Sequence, residues 1–245
     1  MARVPEGSDQ RFELTGGGQA VVARHHLSKG SHAWFTPQEP DRTVRRWGPI
    51  LARSGRRCVL DIGCGGGRHT VYMARLGLEV TAGDLSPLAL EQTRRWLERE
   101  RVQAHLVQFD MISLPFPAES FDAVVSVNVL HHARPGEARR AVAEVWRVLR
   151  PGGLFLAVVA GPRDCYCLLE RPPGATWPPC AQPQGSADAR PCAENDLFGL
   201  FSSFSILGTQ RRNLSLPGDA GPACWRGVNW RVLAERPGGG LTFRR

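Results

Sequence analysis

Apolar residues recur along this chain in two rhythms that take turns. Between residues 41 and 54, Val44, Trp47, Ile50 and Leu51 return every three or four positions. That is the spacing of a helix with one buried face, and Gly55 ends it. Residues 57–62 form a short apolar run, read as a buried strand, and residues 68–76 resume the helical spacing until Gly77 closes it. The exchange repeats as strand 78–85, helix 87–101 with Leu90, Thr93 and Leu97 inward, strand 103–109 and strand 121–128. Helix 137–149 follows, with Ala138, Ala141, Val142, Val145 and Leu149 on one face. Arg150-Pro151-Gly152-Gly153 stops it and feeds strand 154–160. Leu197, Leu200, Phe201 and Phe204 share one more helical face. Residues 205–211 and 229–235 read as two further strands, separated by a loop containing Cys224 and Trp225. Residues 121–128 are apolar nearly throughout, which requires cover on both faces. Strands and helices in this alternation predict an α/β fold built on a doubly wound, mostly parallel sheet of seven strands.

The strand at 57–62 runs into the most informative stretch, Asp61-Ile62-Gly63-Cys64-Gly65-Gly66-Gly67-Arg68. Glycines at a strand-to-helix turn let the chain bend sharply and let a small molecule approach the main chain, beside the free N–H groups of the helix that follows. A dinucleotide fingerprint needs its third glycine three places after the second; that place holds Arg68, and the glycine falls at Gly67. Asp84 ends the next strand, 23 residues beyond Asp61. Nucleotide-binding sheets place there the carboxylate that accepts hydrogen bonds from ribose hydroxyls. A helix-capping role for Asp84 is already taken by Ser86, with Pro87 at the first helical position.

Asp61-x-Gly63-x-Gly65-x-Gly67 resembles the first motif of class I S-adenosylmethionine-dependent methyltransferases. Asp110-Met111, Phe121-Asp122, Leu130-His131-His132 and Trp146-Arg147-Val148-Leu149-Arg150-Pro151-Gly152-Gly153 extend the likeness, from about residue 57 to 161, toward the broad group that includes ubiquinone- and menaquinone-biosynthesis enzymes. The resemblance implies a Rossmann-like sheet whose last strand is antiparallel. It implies that Asp61 sits by the methionine end of S-adenosylmethionine, whose amino group is cationic, that Asp110 binds the adenine amino group and that Met111 packs on the ring. Gly63, Cys64, Gly65, Asp84, Leu85 and Asn128 complete the expected cofactor set. His131, just past the carboxyl end of a buried strand where open α/β sheets keep their chemistry, is the candidate general base, with His132 in reserve.

Charge and cysteine content change little. The formal net charge is +8, and Lys29 is the sole lysine. The arginine pairs are spread over the whole chain without interleaved aromatics, as solvated surface charge rather than a nucleic-acid groove. Seven cysteines in a chain of 245 residues do not suggest a disulfide framework. Cys165, Cys167, Cys180 and Cys192 lack the spacing of a zinc site, and His25, His26 and His32 lack cysteine or carboxylate partners at ligand spacing, so no metal is assigned. The absence of a signal-like start or an apolar span leads to the expectation of a cytoplasmic, soluble protein that does not enter a membrane. Residues 1–40 are expected to be a flexible arm or lid, residues 41–245 a single domain, and about 162–193 an irregular insertion; in related methyltransferases such segments cover the cofactor and wall the substrate.

Methyl transfer from a sulfonium is a one-step in-line displacement that asks chiefly for alignment and exclusion of water. A detailed cofactor site without a catalytic triad fits it. The expected acceptor is a small molecule. The segment Asn128-Val129-Leu130-His131 lacks the prolines and aromatic residue of exocyclic-amine methylases, which turns the reading away from that subclass. RNA or protein methylation, or a non-catalytic binding role, are the alternatives.

Overall fold

The computed structural model describes residues 39–133, 135–160, 199–218 and 221–238. The arm before residue 39 with its histidines at 25, 26 and 32, and the whole 162–193 insertion with its cysteines, lie outside them.

Helix α1 (Arg42–Arg53) opens on Asp41, whose side chain accepts the Thr43 N–H at 2.7 Å. Val44 and Leu51 are buried as the periodicity predicts, but Ile50 is 39% exposed. Gly48 takes the inward place instead: a Cβ there would come within 2.8 Å of Leu76 Cδ1, so its absence is what lets α1 lie close on its neighbour. Strand β1 (Cys58–Ile62) leads through the glycine turn into α2 (Arg68–Arg75), then β2 (Glu79–Asp84), α3 (Pro87–Glu100), β3 (His105–Gln108), β4 (Phe121–Val127) and α4 (Pro135–Val148). Ser86 caps α3 with Pro87 in its first turn.

Strand β5 (Leu149–Ala160) begins earlier than the Pro-Gly-Gly stop implies. Its register against β4 jumps between Phe121 and Ala123, so Arg150–Gly153 is taken up as an irregularity within the pairing, with Gly152 at φ 77°. Strands β6 (Ser205–Gly218) and β7 (Gly221–Glu235) are about twice the expected length. They form one hairpin that pairs as far as Leu216–Trp225 and Gly218–Gly221. Cys224 and Trp225 therefore belong to β7, not to a loop; the alternation in Asn213-Leu214-Ser215-Leu216 before Pro217-Gly218 was the overlooked signal.

The seven strands are ordered β3-β2-β1-β4-β5-β7-β6. β1 to β5 are parallel, and β7 is antiparallel to both β5 and β6. Side chains alternate between two cores, as a sheet covered on both faces requires. Leu60, Ile62, Val124 and Phe155 pack with Val142 and Val145 of α4, while Val59, Val125 and Leu156 pack with Val44, Leu51 and Met73. Phe201 and Phe204 stack on Phe155, as their shared face predicts. The strand order reverses beside β1, and the crevice at its carboxyl end is where such sheets bind ligands. Among the described residues no helix is long and apolar enough to cross a membrane.

A candidate cofactor site at the carboxyl edge of the sheet

The turn after β1 is fixed from below by β2. The N–H groups of Gly63 and Cys64 both donate to the Gly83 carbonyl, at 2.8 and 3.0 Å, and the Gly67 N–H donates to the Cys64 carbonyl. Gly63, at φ 66°, sits on Val129: a Cβ there would fall 2.4 Å from Val129 Cγ2. Gly65, at φ 55°, faces open space, with nothing within 4 Å of the place a Cβ would occupy. The turn is thus packed on one side and open on the other.

Asp61 lies under this turn, 1% exposed. The Thr70 hydroxyl donates to its Oδ2 at 2.6 Å, while Oδ1 has no hydrogen-bond partner among the described residues. Burial is the main reason its pKa is pushed up to about 7; the Thr70 bond and the nearby Arg68 charge act against that rise, and the Asp84 charge adds to it. An orphaned carboxylate oxygen at the floor of an open glycine cradle lacks a donor, and a cationic amine supplies one. The residues present fit the methionine end of S-adenosylmethionine.

Asp84, at the end of β2, receives the Gly65 N–H on Oδ2 and the Ser86 N–H on Oδ1, both at 2.9 Å. Each oxygen keeps a second lone pair, the two acceptors that vicinal hydroxyls require. Asp84 therefore also ties the turn to the start of α3, a task the sequence does not announce. Leu85 beside it is 52% exposed, its carbonyl held by the Gln108 side chain at 3.0 Å. Past β3, Asp110 is exposed and accepts the Ile112 N–H at 3.1 Å, while Met111 is half-buried against the Phe109 core. Asn128 is exposed at φ 60°, with its N–H bound to the Val158 carbonyl. The edge formed by β1, β2, β3 and β4 thus brings together Asp61, Gly63, Gly65, Asp84, Leu85, Asp110, Met111 and Asn128.

Two sequence assignments change. Cys64 is 4% exposed, with Sγ 3.9 Å from Thr93 Oγ1, and burial drives its thiol pKa far above the ordinary value. Its side chain is part of the core, its Sγ 3.9 Å from the Gly65 carbonyl oxygen, and its backbone holds the turn through Gly83 and Gly67. His131 stands in a short 3-10 turn (Leu130–His132), its ring centroid 4.3 Å from that of His132. Burial first, and then the His132 charge, pull its pKa down to about 3. A neutral imidazole of that kind accepts a hydrogen bond but holds a transferred proton weakly, which counts against the general-base role expected of His131.

Thr70, Thr93 and Val129 are missing from the sequence-level set. Thr93 Oγ1 donates to the Gly65 carbonyl at 2.8 Å, fixing the turn from α3 as Thr70 fixes Asp61 from α2. Buried hydroxyls on otherwise apolar helix faces were the available signal. His69, 3% exposed and neutral, accepts the Asp41 N–H at 3.2 Å, and Asp41 pairs with Arg231 of β7 at 2.9 Å, anchoring α1 beside the turn. Among the described residues no group of three or more metal-ligating side chains is placed to hold a metal.

A family model described as "Methyltransferase domain" matches residues 60–157, which span the turn and every strand of this edge. An uncharacterised methyltransferase of Synechocystis is 38% identical over 132 residues, covering 54% of this chain and 56% of that protein. The ubiquinone biosynthesis O-methyltransferase of Xanthomonas axonopodis is 35% identical over 140 residues, covering 53% and 57%. The chain spans about half the length, or less, of the curated relatives it matches. The crystal structure of an S-adenosylmethionine-dependent methyltransferase from Methanosarcina mazei has the same fold, with a TM-score of 0.60 at 21% identity over 82% of this chain and all of that one.

Proposed function

Because residues 60–157 form a class I S-adenosylmethionine-dependent methyltransferase domain, we propose that the protein binds S-adenosylmethionine at the glycine turn and methylates a small molecule. The observation that carries the proposal is the buried, unpartnered Oδ1 of Asp61 beneath the open face of Gly65. Asp61 would hold the amino group, Asp84 the ribose hydroxyls and Asp110 the adenine amine, with Met111 and Leu85 on the ring and the backbone of Gly63 and Gly65 against the chain between. The sulfonium supplies an already activated methyl group when bound. The protein's share is then to align the acceptor and keep water out. Asn128 and the neutral His131, which follow β4, would orient an acceptor hydroxyl by hydrogen bonding. Methylation of a small-molecule oxygen, the activity named for the Xanthomonas relative, is the form of the reaction this arrangement suits. The reading places the protein in the cytoplasm.

Isothermal titration tests the reading directly. S-Adenosylmethionine and S-adenosylhomocysteine are expected to bind at micromolar concentration, and NAD not at all; failure of both would overturn it. Asp84→Ala is expected to weaken both by about 1–3 kcal/mol, by leaving ribose hydroxyls without acceptors and releasing the Gly65 N–H. Circular dichroism would verify that the variant is folded, and unchanged affinity would remove the ribose assignment.

A further inference from the structure

A buried carboxylate with one oxygen satisfied and the other orphaned has two ways to exist. It can keep a proton, or it can ionise once a cation reaches it. Asp61 is built for this choice. Around it stand Thr70 and Arg68 on α2, Asp84 at the end of β2 and the buried Cys64 in the turn. The Thr70 hydroxyl bonds to it, the Thr70 backbone N–H also favours its carboxylate, and no ion pair reaches it among the described residues. Arg68 and Asp84 act on it in opposite senses, the arginine favouring the carboxylate more than the aspartate opposes it, and burial outweighs both.

We propose that Asp61, held by Thr70 beneath the glycine turn, is a proton-linked receptor for the ammonium group of the ligand, shedding its proton to solvent as the cation binds. The inference rests on the cofactor reading above. The step makes and breaks no bond except the carboxyl O–H: a neutral acid and an ammonium become a carboxylate–ammonium pair and one free proton. The selectivity of the site follows. Nucleosides that carry the amine gain affinity as pH rises, whereas nucleosides that lack it bind with an affinity indifferent to pH. With the carboxyl pushed up to about 7 in the free protein, binding of the amine-bearing ligand is expected to tighten about tenfold between pH 6 and pH 8. About 0.9 proton is expected to be released per ligand at pH 6 and about 0.1 at pH 8. His69, neutral with its pKa down at about 3, does not titrate in that interval.

The test is calorimetric titration of the full chain with S-adenosylhomocysteine and with 5′-methylthioadenosine, which shares the nucleoside but lacks the amino acid. Titrations at pH 6 and pH 8, in buffers of different ionisation enthalpy, read proton release directly. Support is a buffer-dependent enthalpy at pH 6 for S-adenosylhomocysteine alone, with the tenfold rise in its affinity. Asp61→Asn, which keeps an acceptor for Thr70, should abolish both effects. Thr70→Val removes the bond that favours the carboxylate and should move the affinity inflection to higher pH. A pH-independent affinity for S-adenosylhomocysteine with no proton release overturns the linkage and leaves the cofactor reading standing. No binding of either nucleoside at either pH overturns the reading and the linkage together.

Discussion

Asp61→Asn is expected to raise the melting temperature of the ligand-free protein at pH 8 by roughly 10 °C while removing most of its affinity for S-adenosylhomocysteine. The folded and unfolded states differ in which one holds the Asp61 proton. An aspartate in the unfolded chain loses its proton near pH 3.8, and Asp61 in the folded chain near pH 7. Between those values the folded state binds the extra proton, so stability falls as pH rises through the interval and stays low above it. About three pKa units correspond to about 4 kcal/mol lost by pH 8. The asparagine never ionises, keeps its contact with Thr70 and avoids that loss, and in a domain of this size each kcal/mol moves the melting point by roughly 2–4 °C. At pH 5 most of the interval has not been crossed, so the gain should be less than half as large. Thermal scans of both proteins at pH 5 and pH 8 test this; equal differences at the two values would show that Asp61 is not a buried titrating acid. Stability given up for a ligand's charge is a common feature of binding sites.

The sequence carried the architecture because the physics that builds it is local. Period-two apolar runs, helix faces recurring every three or four residues and a glycine-rich turn each act within about a dozen residues, so β1 to β4 and α1 to α4 were legible within a few positions. Asp61, Asp84 and Asp110 were legible for a second reason: strand ends converge on one edge of a parallel sheet wherever the strands lie. What required three dimensions was direction and partnership. Cys64 stands in the middle of the motif, yet its thiol packs on Thr93, 29 residues away. His131 follows a buried strand as a base should, but its burial and its neighbour His132 lower its pKa. The outward turn of Ile50 follows from Gly48, because close packing with Leu76 and Tyr72 rotates the buried face of α1 toward the residue without a side chain. The length of the β6–β7 hairpin was hidden because two strands that pair chiefly with each other need no continuous apolar face.

The two glycines of the turn should respond oppositely to the same added methyl group. Gly65→Ala places its Cβ in open space at φ 55°, so the fold bears only the backbone cost of a left-handed alanine, about 1–2 kcal/mol. The methyl group then stands in the cradle itself, and affinity for S-adenosylhomocysteine should drop at least tenfold. Gly63→Ala meets a wall: at φ 66° its Cβ would lie 2.4 Å from one Val129 methyl and 2.8 Å from the other. Val129 follows Asn128, itself in the left-handed region at φ 60°, and opens the turn that carries His131. Relieving the clash therefore shifts the far wall of the site, at a cost of about 2–4 kcal/mol. Denaturant unfolding should show the larger loss for Gly63→Ala, and ligand titration a clear loss for Gly65→Ala in a protein that still folds. Adding Val129→Ala should return part of the stability lost by Gly63→Ala and none of that lost by Gly65→Ala, because only the first pair is in contact. Equal rescue of both would mean that Val129 does not support the turn as the structure has it.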